Sequence, residues 1–96
     1  MKHVPPTCPV TQVAQLLSDT WTMLIMKDLN AGPKRFCELE RSLDGISTRT
    51  LTLKLKKLTE ENMVKKSTEG VYASTARGRG LKIVESAMRR YGERYL

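Results

Sequence analysis

"GISTRTLTLKLKKL" (Gly45–Leu58) decides the reading of this chain. It sets Leu51, Leu53, Leu55 and Leu58 among Arg49, Lys54, Lys56 and Lys57, with no acid. At 100° per residue from Leu51, Leu55 lies at about 40° and Leu58 at about −20°, so these three form the buried stripe of a helix. Arg49, Leu53 and Lys56 fall at about 140–200°, on the opposite face, flanked by Thr52 and Lys57. A helix that only meets water mixes charge signs to gain i,i+4 pairs, whereas acids appear here only at Glu60 and Glu61, past the last core leucine. The outward face therefore suits an acidic partner. Leu53 is the one leucine that the buried stripe does not explain, although single exposed leucines are common.

The neighbouring segments place this helix in a larger plan. Ser47 is a good N-cap for it, and the helix is expected to run to about Asn62. Asp44-Gly45 separates it from a shorter helix marked by Phe36, Leu39 and Leu43, and "KRF" before that is short enough for a strand. Further upstream, "VPPTCPV" reads as an extended lead-in because its prolines disfavour helix. A first helix is expected from Val10 to Leu17. Ser18 or Asp19 can cap a second, carrying Trp21, Leu24, Ile25 and Leu29 on one face. "NAGP" ends it, with Gly32 free to take positive φ. Downstream, "MVKKSTEGVYAST" reads as a hairpin whose turn Gly70 eases. Thr75 then caps a last helix, with Leu81, Val84, Met88, Tyr91 and Tyr95 at three- and four-residue steps. Gly78 and Gly80 either fray its first turn or let it pack closely. The fold class is mainly α with a small β-hairpin: a winged helix-turn-helix with added N- and C-terminal helices.

Composition narrows the function. Ninety-six residues suit one domain over 1–96, with 1–7 as a flexible lead-in. The net charge of +7 is uneven: the segment 47–82 carries a net +6, whereas 1–46 is neutral. Affinity for a polyanion therefore resides in the second half. No apolar run is long enough to span a bilayer, and "MKHVPPTCPV" lacks the apolar stretch of a signal peptide, so a cytoplasmic location is expected, with Cys8 and Cys37 reduced. Two cysteines and the single His3 are too few for a closed zinc site, and no cofactor is implied. Nor does any nucleophile–base–acid set appear, so an enzyme is not expected.

"CPV" at 8–10, Trp21, "GPKRFCEL" at 32–39, "GIS" at 45–47, "LTLKLKKL" at 51–58 and "YASTARG" at 72–78 give the chain a resemblance to the HxlR-type winged-helix transcriptional regulators, relatives of the MarR group. The resemblance spans about 8–95. It implies a prokaryotic repressor or activator that dimerises through its first and last helices and puts the helix after "GIS" into a major groove. By position, Ser47, Thr48, Arg49 and Thr52 would face bases, and Leu53, from its outward place, joins them. The resemblance puts Lys34 and Arg35 near phosphate, and charge adds Lys54, Lys56, Lys57, Lys65, Lys66 and Arg77. Val10, Val13, Leu17, Leu81, Val84, Met88, Tyr91 and Tyr95 are the expected dimer contacts. Several members sense electrophiles or oxidants through a cysteine matching Cys8, which marks it as a candidate redox switch. Cys37 stands where the family usually has a small or capping residue. It is expected to be a buried small hydrophobe or a second reactive thiol. The wing is shorter than the family's usual one.

The expected partners are a second copy of the chain and double-stranded DNA with a pseudo-palindromic operator, and an electrophile or aromatic compound is a candidate effector. The alternative is a winged-helix protein-interaction module in which Leu53 and the terminal stripe bind protein and DNA binding is non-specific.

Overall fold

The structure is a computed structural model that describes residues 8–96; the lead-in assigned to 1–7 lies outside the described residues. In chain order the elements are α1 (Pro9–Leu16), α2 (Thr20–Ala31), β1 (Lys34–Arg35), α3 (Phe36–Ser42), α4 (Thr48–Glu60), β2 (Val64–Lys66), β3 (Val71–Ser74), α5 (Ala76–Arg79) and α6 (Lys82–Tyr95). The strands form one antiparallel sheet in the order β1-β3-β2, so the short "KRF" strand joins the hairpin as a third member. None of the described helices is long and apolar enough to cross a membrane.

Local chemistry accounts for most boundaries. Pro9 opens α1, where its missing N–H costs nothing. Of the two possible caps for α2, Asp19 serves: its carboxylate accepts the Thr22 N–H at 2.9 Å. Gly32 closes α2 in an extended conformation, φ 163°, rather than the left-handed one expected of it. The Glu38 carboxylate accepts the Arg35 N–H at 2.8 Å and so secures the start of α3. Gly45, at φ +91°, turns the chain between α3 and α4, and the Ser47 hydroxyl accepts the Thr50 N–H at 3.0 Å. At its other end, α4 stops in a Schellman motif. Asn62 takes φ +61°, its N–H reaches the Thr59 carbonyl, and the Met63 N–H reaches Leu58.

The core gathers one face from each element. Leu51, Leu55 and Leu58 of α4 are fully buried against Ile25, Met26 and Leu29 of α2, Leu39 and Leu43, and Met63 and Val64. Trp21 and Leu24 pack on this cluster from its edge. Methionines 23 and 26 are buried as well, although the one-sided stripe read from the sequence omits them. The reason is that α2 is central: α3, α5, α6 and β3 all pack on it, so its buried arc is wider than a surface helix needs.

The C-terminal region departs from the expected single helix. Thr75 does cap, accepting the Gly78 N–H, but it caps the four-residue α5. The chain then turns through Gly80 and Leu81 into α6. The break directs Leu81 into the protein's own core, where it is 6% exposed. Leu81 is therefore not available as a dimer contact. Leu17 and Val84 are half-buried against the same cluster. Val10, Val13, Met88, Tyr91 and Tyr95 remain exposed, joined by Ile83, which the stripe had not included. Neither α1 nor α6 contains a buried residue.

Candidate nucleic-acid interface

The start of α4 is a compact polar set. Ser47 is exposed, but its hydroxyl accepts the Thr50 N–H and lies 2.9 Å from the Thr50 hydroxyl, so capping occupies it. The Thr48 hydroxyl donates to the Glu40 carboxylate on α3, and the Thr52 hydroxyl donates to the Thr48 carbonyl at 2.8 Å. Arg49 is exposed, and among the described residues its guanidinium has no partner. Leu53, 52% exposed, stands on the same face, with Lys56 one turn from Thr52. Arg49, Thr52, Leu53 and Lys56 thus share one exposed surface, the one the 100° spacing predicts, and Thr48 is exposed at its edge in the first turn.

The basic residues divide into groups. Lys56, Lys57, Lys65, Lys66 and Arg77 are exposed. Lys54 is not among them. Its ammonium lies 2.9 Å from the Asp19 carboxylate, with both side chains about two-thirds covered. The acid that caps α2 thereby also holds the middle of α4, and Lys54 leaves the set of free phosphate holders. Arg35 has a second task as well: its Nη1 donates to the Glu69 carbonyl at 2.9 Å, tying β1 to the turn of the wing. That turn is four residues long, with Gly70 at φ +82° and the Ser67 hydroxyl accepting the N–H groups of Glu69 and Val71. Lys34 is half-buried in β1 opposite Tyr72, and Lys66 lies 5.5 Å from the centre of the Tyr72 ring. Arg77 and Lys57 border a groove of about 620 Å³ whose other wall is Gln12, Val13, Gln15 and Leu16 of α1. Arg77 therefore lies beside α1.

Asp19 carries a pH signature. Burial pushes its carboxyl up, but the hydrogen bonds from Lys54 and from the N–H and hydroxyl of Thr22 outweigh it and hold the pKa below its ordinary value. A carboxyl depressed in the folded state stabilises the protein above its unfolded pKa of about 3.9, and that contribution is lost as pH falls through the lower folded value. Unfolding midpoints in urea should therefore drop below about pH 4. Asp19→Ala should lower stability by about 1–2 kcal/mol at pH 7 and flatten that acid limb. A variant with the wild-type acid limb would show that other carboxyls carry it.

The two cysteines differ. Cys8 is half-buried at the N-cap of α1, and its sulfur makes no capping hydrogen bond of normal geometry. The Thr11 hydroxyl and N–H nevertheless face the thiol and, with the Val10 N–H, hold its pKa below the ordinary range. Cys37 is exposed, so it is not the buried hydrophobe that was one expectation for it. Its sulfur lies 3.8 Å from a guanidinium nitrogen of Arg41.

Sequence reading missed the ties between elements that bear on this surface: Asp19 to Lys54, Glu40 to Thr48, and Arg35 to the Glu69 carbonyl. The residue types were visible, but the pairings depend on how α2, α3 and the wing pack around α4.

Comparison with known proteins agrees with this architecture. The profile of the HxlR-like helix-turn-helix family matches residues 16–96. The HTH-type transcriptional regulator sll1512 of Synechocystis is 34% identical over 95 residues, covering 93% of this chain and 70% of the relative. Among solved structures, quinone-bound YodB of Bacillus subtilis superposes with a TM-score of 0.84 at 30% identity, over 93% of this chain and all of YodB. A MarR-family chain from Porphyromonas gingivalis W83 gives a TM-score of 0.88 at 28% identity, over the full length of both. With a family profile over five-sixths of its length, relatives in the same class and a winged helix-turn-helix built around α4, the chain belongs to the HxlR-like helix-turn-helix family of transcriptional regulators.

Proposed function

We propose that this regulator acts as a cytoplasmic homodimer, a single winged-helix unit per subunit, that binds a pseudo-palindromic operator with α4 in the major groove. The observation that carries this reading is the exposed face of α4, where Arg49, with no partner among the described residues, stands at the N-terminal end beside Thr48, Thr52 and Leu53. The first residues of such a helix are those that reach base edges, and arginine bonds guanine through two hydrogen bonds. Lys56, Lys57, Lys65, Lys66 and the remaining donors of Arg35 supply phosphate contacts. Lys34 and Arg77 are secondary, one half-buried and the other beside α1. Two-fold association is supported by the exposed Val10, Val13, Met88, Tyr91 and Tyr95 on helices that contain no fully buried residue among the described ones.

Cys8 is the effector site in this reading. Its lowered thiol pKa favours the nucleophilic thiolate, and the relative YodB is known in a quinone-bound form. An aromatic or electrophilic compound is the corresponding effector class. The exposure of Leu53 favours a second reading, a protein-interaction module with only non-specific DNA binding.

One binding experiment separates these. The protein should hold DNA from its own promoter far more tightly than random duplex at moderate salt, with affinity falling steeply as salt rises. Arg49→Ala should weaken operator binding by about 5- to 150-fold and relax one base position. Quinone treatment should shift operator affinity in the wild type and leave Cys8→Ser unchanged. Equal affinity for promoter and random DNA would leave the interaction module standing, and equal quinone responses in both proteins would clear Cys8.

A further inference from the structure

The hydroxyl protons at the start of α4 are already committed inside the protein. Thr52 Oγ1 donates to the Thr48 carbonyl, and a carbonyl only accepts, so the direction of this bond is fixed. Thr48 Oγ1 is bonded to the Glu40 carboxylate, which when ionised also only accepts. A hydroxyl has one proton to give, so both threonines retain only lone pairs for an outside partner. Glu40 is half-buried and reaches across from α3 to the first residue of α4, where the helix dipole favours a negative charge.

The geometry points to Glu40 as a specificity-determining residue that makes Thr48 a pure hydrogen-bond acceptor toward DNA. The inference rests on α4 entering the major groove and deepens that reading. In that groove cytosine N4 and adenine N6 are donors, whereas guanine presents only acceptors. A Thr48 hydroxyl held as an acceptor selects cytosine or adenine on the strand it touches. It disfavours guanine, against which two acceptors meet with no proton between them. Arg49, the adjacent residue, has only donors and selects guanine instead. The reading end of α4 thus presents one donor-only and one acceptor-only residue side by side. The second owes its polarity to a carboxylate on another helix.

The test is selection from a randomised duplex pool by the full chain, followed by equilibrium binding to single-base variants of the selected site. Thr48→Val keeps the side-chain shape and removes the hydroxyl, so the base position whose preference it abolishes is the one Thr48 reads. There the wild type should prefer cytosine or adenine over guanine by about tenfold. Glu40→Leu and Glu40→Ala both remove the acceptor and release the hydroxyl proton, the first keeping much of the side-chain bulk. Both should bring the ratio to within about twofold while the position lost in Arg49→Ala stays unchanged. Melting temperatures close to wild type establish that the variants are folded. A wild-type preference for guanine at that position, an unchanged ratio in both Glu40 variants, or a Thr48→Val that alters no position would each overturn the inference. If the wild type selects no sequence at all, the regulator reading fails with it, which distinguishes the two failures.

Discussion

Gly78→Ala should destabilise the protein by about 2–3 kcal/mol, a fall in Tm of roughly 10–20 °C for a chain of this size. A Cβ on Gly78 would sit 2.2 Å from the Met63 carbonyl oxygen and 2.8 Å from the Met26 methyl. The Met26 side chain can rotate away, but the Met63 carbonyl cannot. It accepts the Thr75 N–H at 3.1 Å and lies 3.2 Å from the Thr75 hydroxyl, which also bonds the Asn62 carbonyl. Relief would require α5 to lift from the start of β2, which would loosen the Thr75 cap and the Asn30 amide bond to the Gly78 carbonyl. Gly80→Ala is the matched control. Gly80 has φ −59°, within reach of any residue, and its nearest neighbour would be 3.3 Å away. Thermal melts of the two variants decide the matter: equal values would mean that the α5–β2 approach is not the source of the cost.

The double substitution Met88→Asp, Tyr91→Asp should give a monomer by light scattering and weaken operator binding by about 100-fold or more. Met88 and Tyr91 are 53% and 62% exposed, and the Tyr91 ring lies against that of Tyr95, with ring centres 4.9 Å apart. More than half of each side chain is exposed, so charge at these positions should cost the fold little and oppose mainly an apolar partner surface. Linking two reading helices makes the second half-site contact intramolecular, and losing the link forfeits that gain. A double variant that remained dimeric, or bound operator as tightly as wild type, would move the dimer contact off α6.

The same residues show how far a chain can be read without its fold. The three buried leucines of α4, the caps at Ser47 and Thr75, and the turns at Gly45 and Gly70 were legible, and the α2 cap was narrowed to Ser18 or Asp19, because each follows from helical spacing or from a backbone need within a few residues. The exposed face of α4 around Arg49, Leu53 and Lys56 follows from the same spacing. Tertiary structure alone decided which of those polar groups were already taken. Lys54 looks like any other cation of a basic helix until α2 brings Asp19 to it across 35 positions. Thr48 looks like a donor or an acceptor until Glu40 claims its proton. Leu81 fits a terminal stripe until the break before α6 turns it into the core. Periodicity fixes the direction a side chain leaves its own helix, but what it meets depends on how the other elements pack around it.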